Sequence, residues 1–138
     1  MRTAPGESVL GIGVDLVEVG RVRLALERWR GRFCARVFRD AEQAYCDSRA
    51  APWRHYAARF AVKEAVGKAF GTGIGADIGW LDIEVRRVPE TGAPEVVLTG
   101  KAAALARRRG VRRVLASLSH ARDYAIAQVV LSGRRAAS

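Results

Sequence analysis

Residues 51–75 constrain this chain more than any other stretch. Ala51-Pro52 opens a long run, Trp53 to Phe70, in which Tyr56, Phe60, Val66 and Phe70 supply apolar faces, and Gly71-Thr72-Gly73-Ile74-Gly75 closes it. Proline is tolerated in a helix's first turn, and glycine adopts the left-handed conformations that helix ends require. The run is predicted to be the longest helix, around which the remainder must pack. Phe60, Glu64 and Lys68 recur at four-residue spacing within it and therefore share one stripe. Two readings of Glu64 and Lys68 are open at this level: a solvated ion pair, or chemical groups set beside a glycine-rich loop. The loop is itself either a plain helix stop or a ligand cradle.

The flanking segments complete an α+β pattern. Val9 to Val14 reads as a short buried strand containing Gly11 and Gly13, ending at Asp15. Leu16 to Trp29 carries Val19, Val22, Leu26 and Trp29 at helical spacing, with a break expected around Gly31. Arg39-Asp40 marks the start of a short helix over Ala41 to Asp47. Leu81 to Val88 and Glu95 to Leu98 read as strands around the turn Pro89-Glu90-Thr91-Gly92. Lys101 to Arg109 reads as a basic helix stopped by Gly110, and Val111 to Ser119 with Tyr124 to Leu131 as a closing pair of strands. The order is β-α-α-α-β-β-α-β-β, with a mostly antiparallel sheet packed on one long helix and shorter ones. A single domain over 1–138 is expected, with 1–8 and 132–138 as frayed tails.

Composition excludes several classes. No apolar stretch approaches the roughly 18 residues needed to cross a bilayer. The segment Met1 to Ser8 lacks a signal-peptide layout, and a cytoplasmic location is expected. Cys34 and Cys46 have no partner histidine at metal-like spacing, so they read as reduced packing residues. The chain has 24 Lys+Arg against 14 Asp+Glu, a formal net charge of +10. Residues 20–59 and 101–122 carry net +6 and +7, and the remainder of the chain −3, a field suited to polyanionic partners. Nucleic acid is a weak candidate, because residues 101–122 contain no aromatic side chain for base stacking. The cluster Arg107 to Arg113 acquires no role from sequence.

Two further motifs could carry chemistry. Asp15, preceded by Gly11-Ile-Gly13-Val, either caps the following helix or reaches a metal or phosphate in a cleft. Ser117-Leu-Ser119-His120 ends a strand with a histidine that is either structural or a phosphate or adenine contact. No Ser and acid at suitable spacing supports a hydrolase triad.

Three segments occur together and in this order: GIGVD, RFAVKEAVGKAFGTGIG, and SLSH followed by YAIAQVV. With them the chain resembles the holo-acyl-carrier-protein synthases, the small phosphopantetheinyl transferases, over about residues 9–131. The resemblance implies the phosphopantetheinyl transferase fold. It also implies Mg²⁺-dependent transfer of 4′-phosphopantetheine from coenzyme A to a serine of an apo acyl carrier protein, releasing adenosine 3′,5′-bisphosphate. Mn²⁺ is the expected substitute metal, and both fatty-acid and polyketide carriers fit. A homotrimer with sites between subunits is implied, with neither nucleic acid nor membrane as partner.

Matched residue by residue, the resemblance makes Asp15 and Glu64 the Mg²⁺ ligands and Lys68 the pyrophosphate contact. Arg59, Ser119 and His120 fall toward the 3′-phosphoadenosine end, Gly71, Thr72 and Gly73 near the nucleotide. Lys63 is a further candidate phosphate contact, although it points about 100° away from Glu64 around the helix. Arg21, Arg28 and Arg32 match a basic docking surface for the acidic carrier.

Overall fold

The computed structural model describes residues 6–135. Met1–Pro5 and 136–138, part of the expected tails, lie outside them. The elements run β1 (Ser8–Glu18), α1 (Val19–Val37), α2 (Asp40–Asp47), α3 (Pro52–Phe70), a 3-10 turn (Trp80–Asp82), β2 (Ile83–Arg87), β3 (Pro94–Leu98), α4 (Gly100–Arg108), β4 (Val111–His120) and β5 (Tyr124–Gly133). β1, β5 and β4 form an antiparallel sheet with β5 central, and β2 and β3 form a separate antiparallel ribbon. The order β-α-α-α-β-β-α-β-β holds.

β5 alternates between the two sheet faces, and Ala125, Ala127, Val129 and Leu131 are buried against α3. Small side chains let that helix lie close. On β1, a Cβ at Gly11 would land on the Ala69 carbonyl oxygen, and one at Gly13 on that of Ala65. The helix in turn presents Ala57, Ala58, Ala61, Ala65 and Ala69, all buried. Val62, Val66 and Phe70 join the sheet, the ribbon and α4 in one core, and Tyr56 joins α1 and α2 in a second. Cys34 and Cys46 are free and buried in the latter, as expected of packing residues.

Several boundaries differ from the sequence reading, and tertiary contacts explain each. β1 does not stop at Asp15: Leu16, Val17 and Glu18 continue to pair with Ile126, Ala125 and Tyr124. Helix α1 passes Gly31 and reaches Val37, because Cys34 and Val37 are buried in its second half. The irregularity sits at Trp29 (φ −135°, ψ 26°), where a kink re-phases the apolar side. The segment expected as a strand from Leu81 begins as a 3-10 turn, and pairing starts at Ile83. Within the expected tails, Ser8, Ser132 and Gly133 belong to strands: Ser8 pairs with Gly133, and Ser132 with Val9.

Candidate active site

From Tyr56 to Phe70, every residue of α3 is buried except Phe60, Glu64 and Lys68. The central helix thus has one open stripe, the four-residue repeat seen in the sequence. Asp15 comes to meet it. In a strand, alternate residues share a face, so Gly11, Gly13 and Asp15 all look toward α3. The glycines bring the helix close, and Asp15 is the first residue of that row with a side chain able to bridge the gap. Lys68 Nζ donates to Asp15 Oδ1 at 2.9 Å and to the Val14 carbonyl at 3.0 Å. The Asp15 carboxylate is only 14% exposed, whereas Lys68 remains 51% exposed. Asp15 is therefore no helix cap; α1 begins after Glu18, with no side-chain cap bond.

Burial raises the pKa of Glu64 above its ordinary value, and the Asp15 charge adds to that, opposed by Lys68. Asp15, Arg21, Phe33, Phe60, Glu64 and Lys68 line a groove of about 540 Å³, polar at one end and aromatic at the other. Phe33 and Phe60 lie 6.2 Å apart at that aromatic end, and Phe60 stacks on Trp80 at 5.0 Å.

Arg59 and His120 occupy a second, smaller groove of about 180 Å³, together with Tyr45, His55, Arg86 and Arg87. Arg59 is only 6% exposed, and its guanidinium lies 4.3 Å from the Tyr45 ring centre. Its Nε has no hydrogen-bond partner among the described residues. His55 and His120 meet edge to face at 5.0 Å. Burial, followed by the positive surroundings of His120, Arg49, Arg59 and Arg54, pushes the His55 pKa down to about 4. No carboxylate lines this groove; Arg86 is paired with Glu84 behind it (2.9 Å), and Arg59, Arg87 and the two histidines leave it suited to an anion. One chain therefore divides the expected site between two grooves on different sides of α3. Tyr45 and His55 were missed by sequence reasoning, though His55 lies one helical turn before Arg59.

The remaining candidates separate further. Ser119 pairs with Ile126 and His120 with Ala125, so the two point to opposite faces of the sheet. Lys63 requires a correction. It is fully buried, and its Nζ donates to the Val37 carbonyl (2.6 Å), Glu42 Oε1 (2.7 Å) and the Trp80 carbonyl (3.2 Å). An ammonium has three protons to donate, so nothing is left for a phosphate.

Gly71 (φ +79°) ends α3, with its N–H on the Lys68 carbonyl, and Gly73 (φ +66°) donates to the Gly67 carbonyl. Thr72 Oγ1 bonds the Gly73 carbonyl, so the loop folds back on the last turn of the helix. Arg21 borders the larger groove, while Arg28 and Arg32 are exposed on either side of the α1 kink. In the unassigned basic cluster, Arg109 donates to the Phe70 carbonyl at the end of α3, and Arg112 and Arg113 flank Glu7.

A divalent cation fits the larger groove on donor chemistry. No group of three or more His, Cys, Asp or Glu side chains able to hold a metal occurs among the described residues. Asp15 and Glu64 are two carboxylates close enough for one to raise the pKa of the other. Mg²⁺ characteristically takes one or two carboxylates and completes its octahedron with waters and substrate phosphates.

Comparison with known proteins gives the family. Residues 11–129 match the family model of the 4′-phosphopantetheinyl transferase superfamily. A holo-[acyl-carrier-protein] synthase of Desulforudis audaxviator is 51% identical over 91% of this chain and 94% of its own length. That of Koribacter versatilis is 46% identical over 89% and 98%. Among solved structures, the Neisseria meningitidis holo-[acyl-carrier-protein] synthase superposes with a TM-score of 0.82 at 29% identity, covering 90% of this chain and 98% of that one. The Helicobacter pylori enzyme in complex with coenzyme A gives 0.77 at 31%, covering 87% and 98%. With a family match spanning most of the sequence, and relatives that align along nearly their whole length, this chain belongs to the 4′-phosphopantetheinyl transferase superfamily.

Proposed function

We propose that this protein is a holo-acyl-carrier-protein synthase, transferring 4′-phosphopantetheine from coenzyme A to a serine hydroxyl of an apo acyl carrier protein and releasing adenosine 3′,5′-bisphosphate. The observation that carries the reading is the single open stripe of α3, Phe60, Glu64 and Lys68, facing Asp15 across a groove. Asp15 and Glu64 would hold Mg²⁺, with Mn²⁺ as a substitute, supplying positive charge to the pyrophosphate. Lys68 offsets negative charge on the departing phosphate, since phosphoryl transfer depends mainly on positioning and electrostatics. The serine proton goes to Glu64, whose pKa burial raises, or to a water oriented by Glu64 or by the metal. Arg59 and His120 hold the 3′-phosphoadenosine end, with Tyr45 as the wall beneath Arg59. The loop Gly71, Thr72 and Gly73 lies close to the nucleotide.

A homotrimer with sites between subunits accounts for two observations. Ile12, Val14 and Leu16 of β1, with Tyr124 and Ile126 of β5, are exposed although apolar. They cover the sheet face away from α3, a patch that invites association. The two grooves also sit on different sides of α3, so a neighbouring subunit is needed to oppose the Arg59 groove of one chain to the Asp15 groove of another. The exposed Arg28 and Arg32, together with Arg21 at the groove rim, suit an acidic carrier. No helix among the described residues is long and apolar enough to cross a membrane; with coenzyme A and carrier protein as substrates, we place the enzyme in the cytoplasm.

The test is direct. Incubated with apo carrier protein, coenzyme A and Mg²⁺, the protein should add one phosphopantetheine to the carrier, read by intact-mass spectrometry. Absence of addition across fatty-acid and polyketide carriers rejects the assignment; addition indifferent to chelator and to Glu64→Gln rejects the roles given to the metal and to Glu64.

A further inference from the structure

The side of α3 that meets β1 and β5 is lined by Ala57, Ala58, Ala61, Ala65 and Ala69, with Gly11 and Gly13 opposite the last two, while Tyr56, Val62, Val66 and Phe70 fill the cores elsewhere around the helix. The alanine side permits close approach but offers few knobs to define rotation about the helix axis. One residue of slippage would move a side chain 1.5 Å along the helix and about 100° around it. Glu64 would then leave the one stripe that opens toward Asp15. Apolar contacts are non-directional, and a hydrogen-bonded group adds the directional constraint on rotation that they lack.

Lys63 and Glu42 have that character. The Lys63 ammonium is held by the last residue of α1 (Val37 carbonyl), by α2 (Glu42 Oε1) and by the 3-10 turn (Trp80 carbonyl). Glu42 is buried as well: Oε1 also accepts the Arg39 N–H at 2.9 Å, and Oε2 accepts the Val85 N–H of β2 at 2.9 Å. The network thus ties α3 to α1, α2, the 3-10 turn and β2 at the residue immediately before Glu64. A fully satisfied buried pair contributes little net stability over an apolar replacement, and register is the best-attested use of such pairs.

We propose that the Lys63–Glu42 pair is a rotational pin for α3, a positioning device that turns Glu64 into the Asp15 groove. The inference rests on the reading of Glu64 as a metal-binding carboxylate, and both residues act through Glu64, touching no substrate themselves.

The experiment uses the double variant Lys63→Met/Glu42→Leu, which removes both charges while roughly keeping volume. Mn²⁺ binding with coenzyme A present, but no carrier, is followed by electron paramagnetic resonance alongside steady-state kinetics. The folded double variant should bind Mn²⁺ roughly 10–100-fold more weakly and lose a similar factor in kcat. KM for coenzyme A should rise as well, because Arg59 is carried on the same helix and turns with Glu64. A merely structural pair would instead lower the active fraction and leave the Mn²⁺ affinity of the folded molecules unchanged; that result, or wild-type turnover, overturns the pin. Should the double variant not fold, Glu42→Gln carries the same measurement. It replaces the acceptor facing the Val85 N–H or the Lys63 ammonium with a donor, and unchanged Mn²⁺ affinity there is equally fatal. If the wild type binds Mn²⁺ but modifies no carrier while the double variant loses the binding, the transferase reading falls and the pin is supported.

Discussion

Lys68 Nζ and Asp15 Oδ1 lie 2.9 Å apart, joining residues separated by 53 positions across the floor of one groove. Lys68 is half exposed, so the pair contributes little to stability, about 0–1 kcal/mol. Lys68→Ala should therefore leave the melting temperature nearly unchanged while lowering kcat for carrier modification about 10²–10³-fold, comparable with the removal of one charge-stabilising donor from other active sites. A large fall in melting temperature with kcat preserved would show that the pair serves the fold rather than the chemistry.

The close approach of β1 to α3 predicts opposite outcomes for two glycine substitutions. At Gly13 a new Cβ would collide with the Ala65 carbonyl, a backbone atom that cannot swing aside. Gly13→Ala should destabilise by about 1–3 kcal/mol through overpacking. Gly31 lies within α1 and has nothing within 4 Å of its added Cβ. Gly31→Ala should stabilise by about 0.5–1 kcal/mol, because alanine loses less backbone freedom on forming a helix. Denaturant midpoints of the two variants check both signs.

His55 makes stability depend on mildly acidic pH. Its folded pKa, about 4, lies below the ordinary 6.5, so the unfolded chain binds the proton more readily. Its contribution is fully present above pH 6.5 and is lost as pH falls toward 4. In that window the denaturation midpoint of wild type should decline more steeply with falling pH than that of His55→Gln. Equal slopes would show that the ring is not held neutral in the folded protein.

The exposed face of β1 and β5 should be an interface between copies. Leu16 and Ile126 are paired neighbours there, both open to solvent in a single chain. By sedimentation velocity the wild type should run as the proposed trimer, and Leu16→Glu with Ile126→Lys as a folded monomer. On the proposal that each site draws on an adjacent subunit, transfer activity should fall with the trimer. A monomeric wild type that modifies carrier protein would remove this face from the function.

The elements legible from sequence were those with local causes. Helix α3 was readable from its proline start, its apolar faces and its glycine stop, and the loop from 71 to 75 from the glycines themselves. The stripe of Phe60, Glu64 and Lys68 followed from helical period alone, and the family resemblance assigned it chemistry that composition could not. Where α1 continues past Gly31, local signals misled, because its second half is held by the burial of Cys34 and Val37 in a core built from distant residues.

Sequence by itself determined which side chains exist at which helical or strand phase: Glu64 and Lys68 on one stripe, Gly11, Gly13 and Asp15 on one side of one strand. It also placed Lys63 on a different side from Glu64. Only the tertiary structure decided what each phase faces. It set Asp15 against Lys68, buried Lys63 on a glutamate 21 residues away, and put Arg59 and His120 in a groove of their own. The physical reason is range. Backbone geometry fixes direction within a few residues, whereas ion pairing and burial depend on groups that only the folded chain brings together.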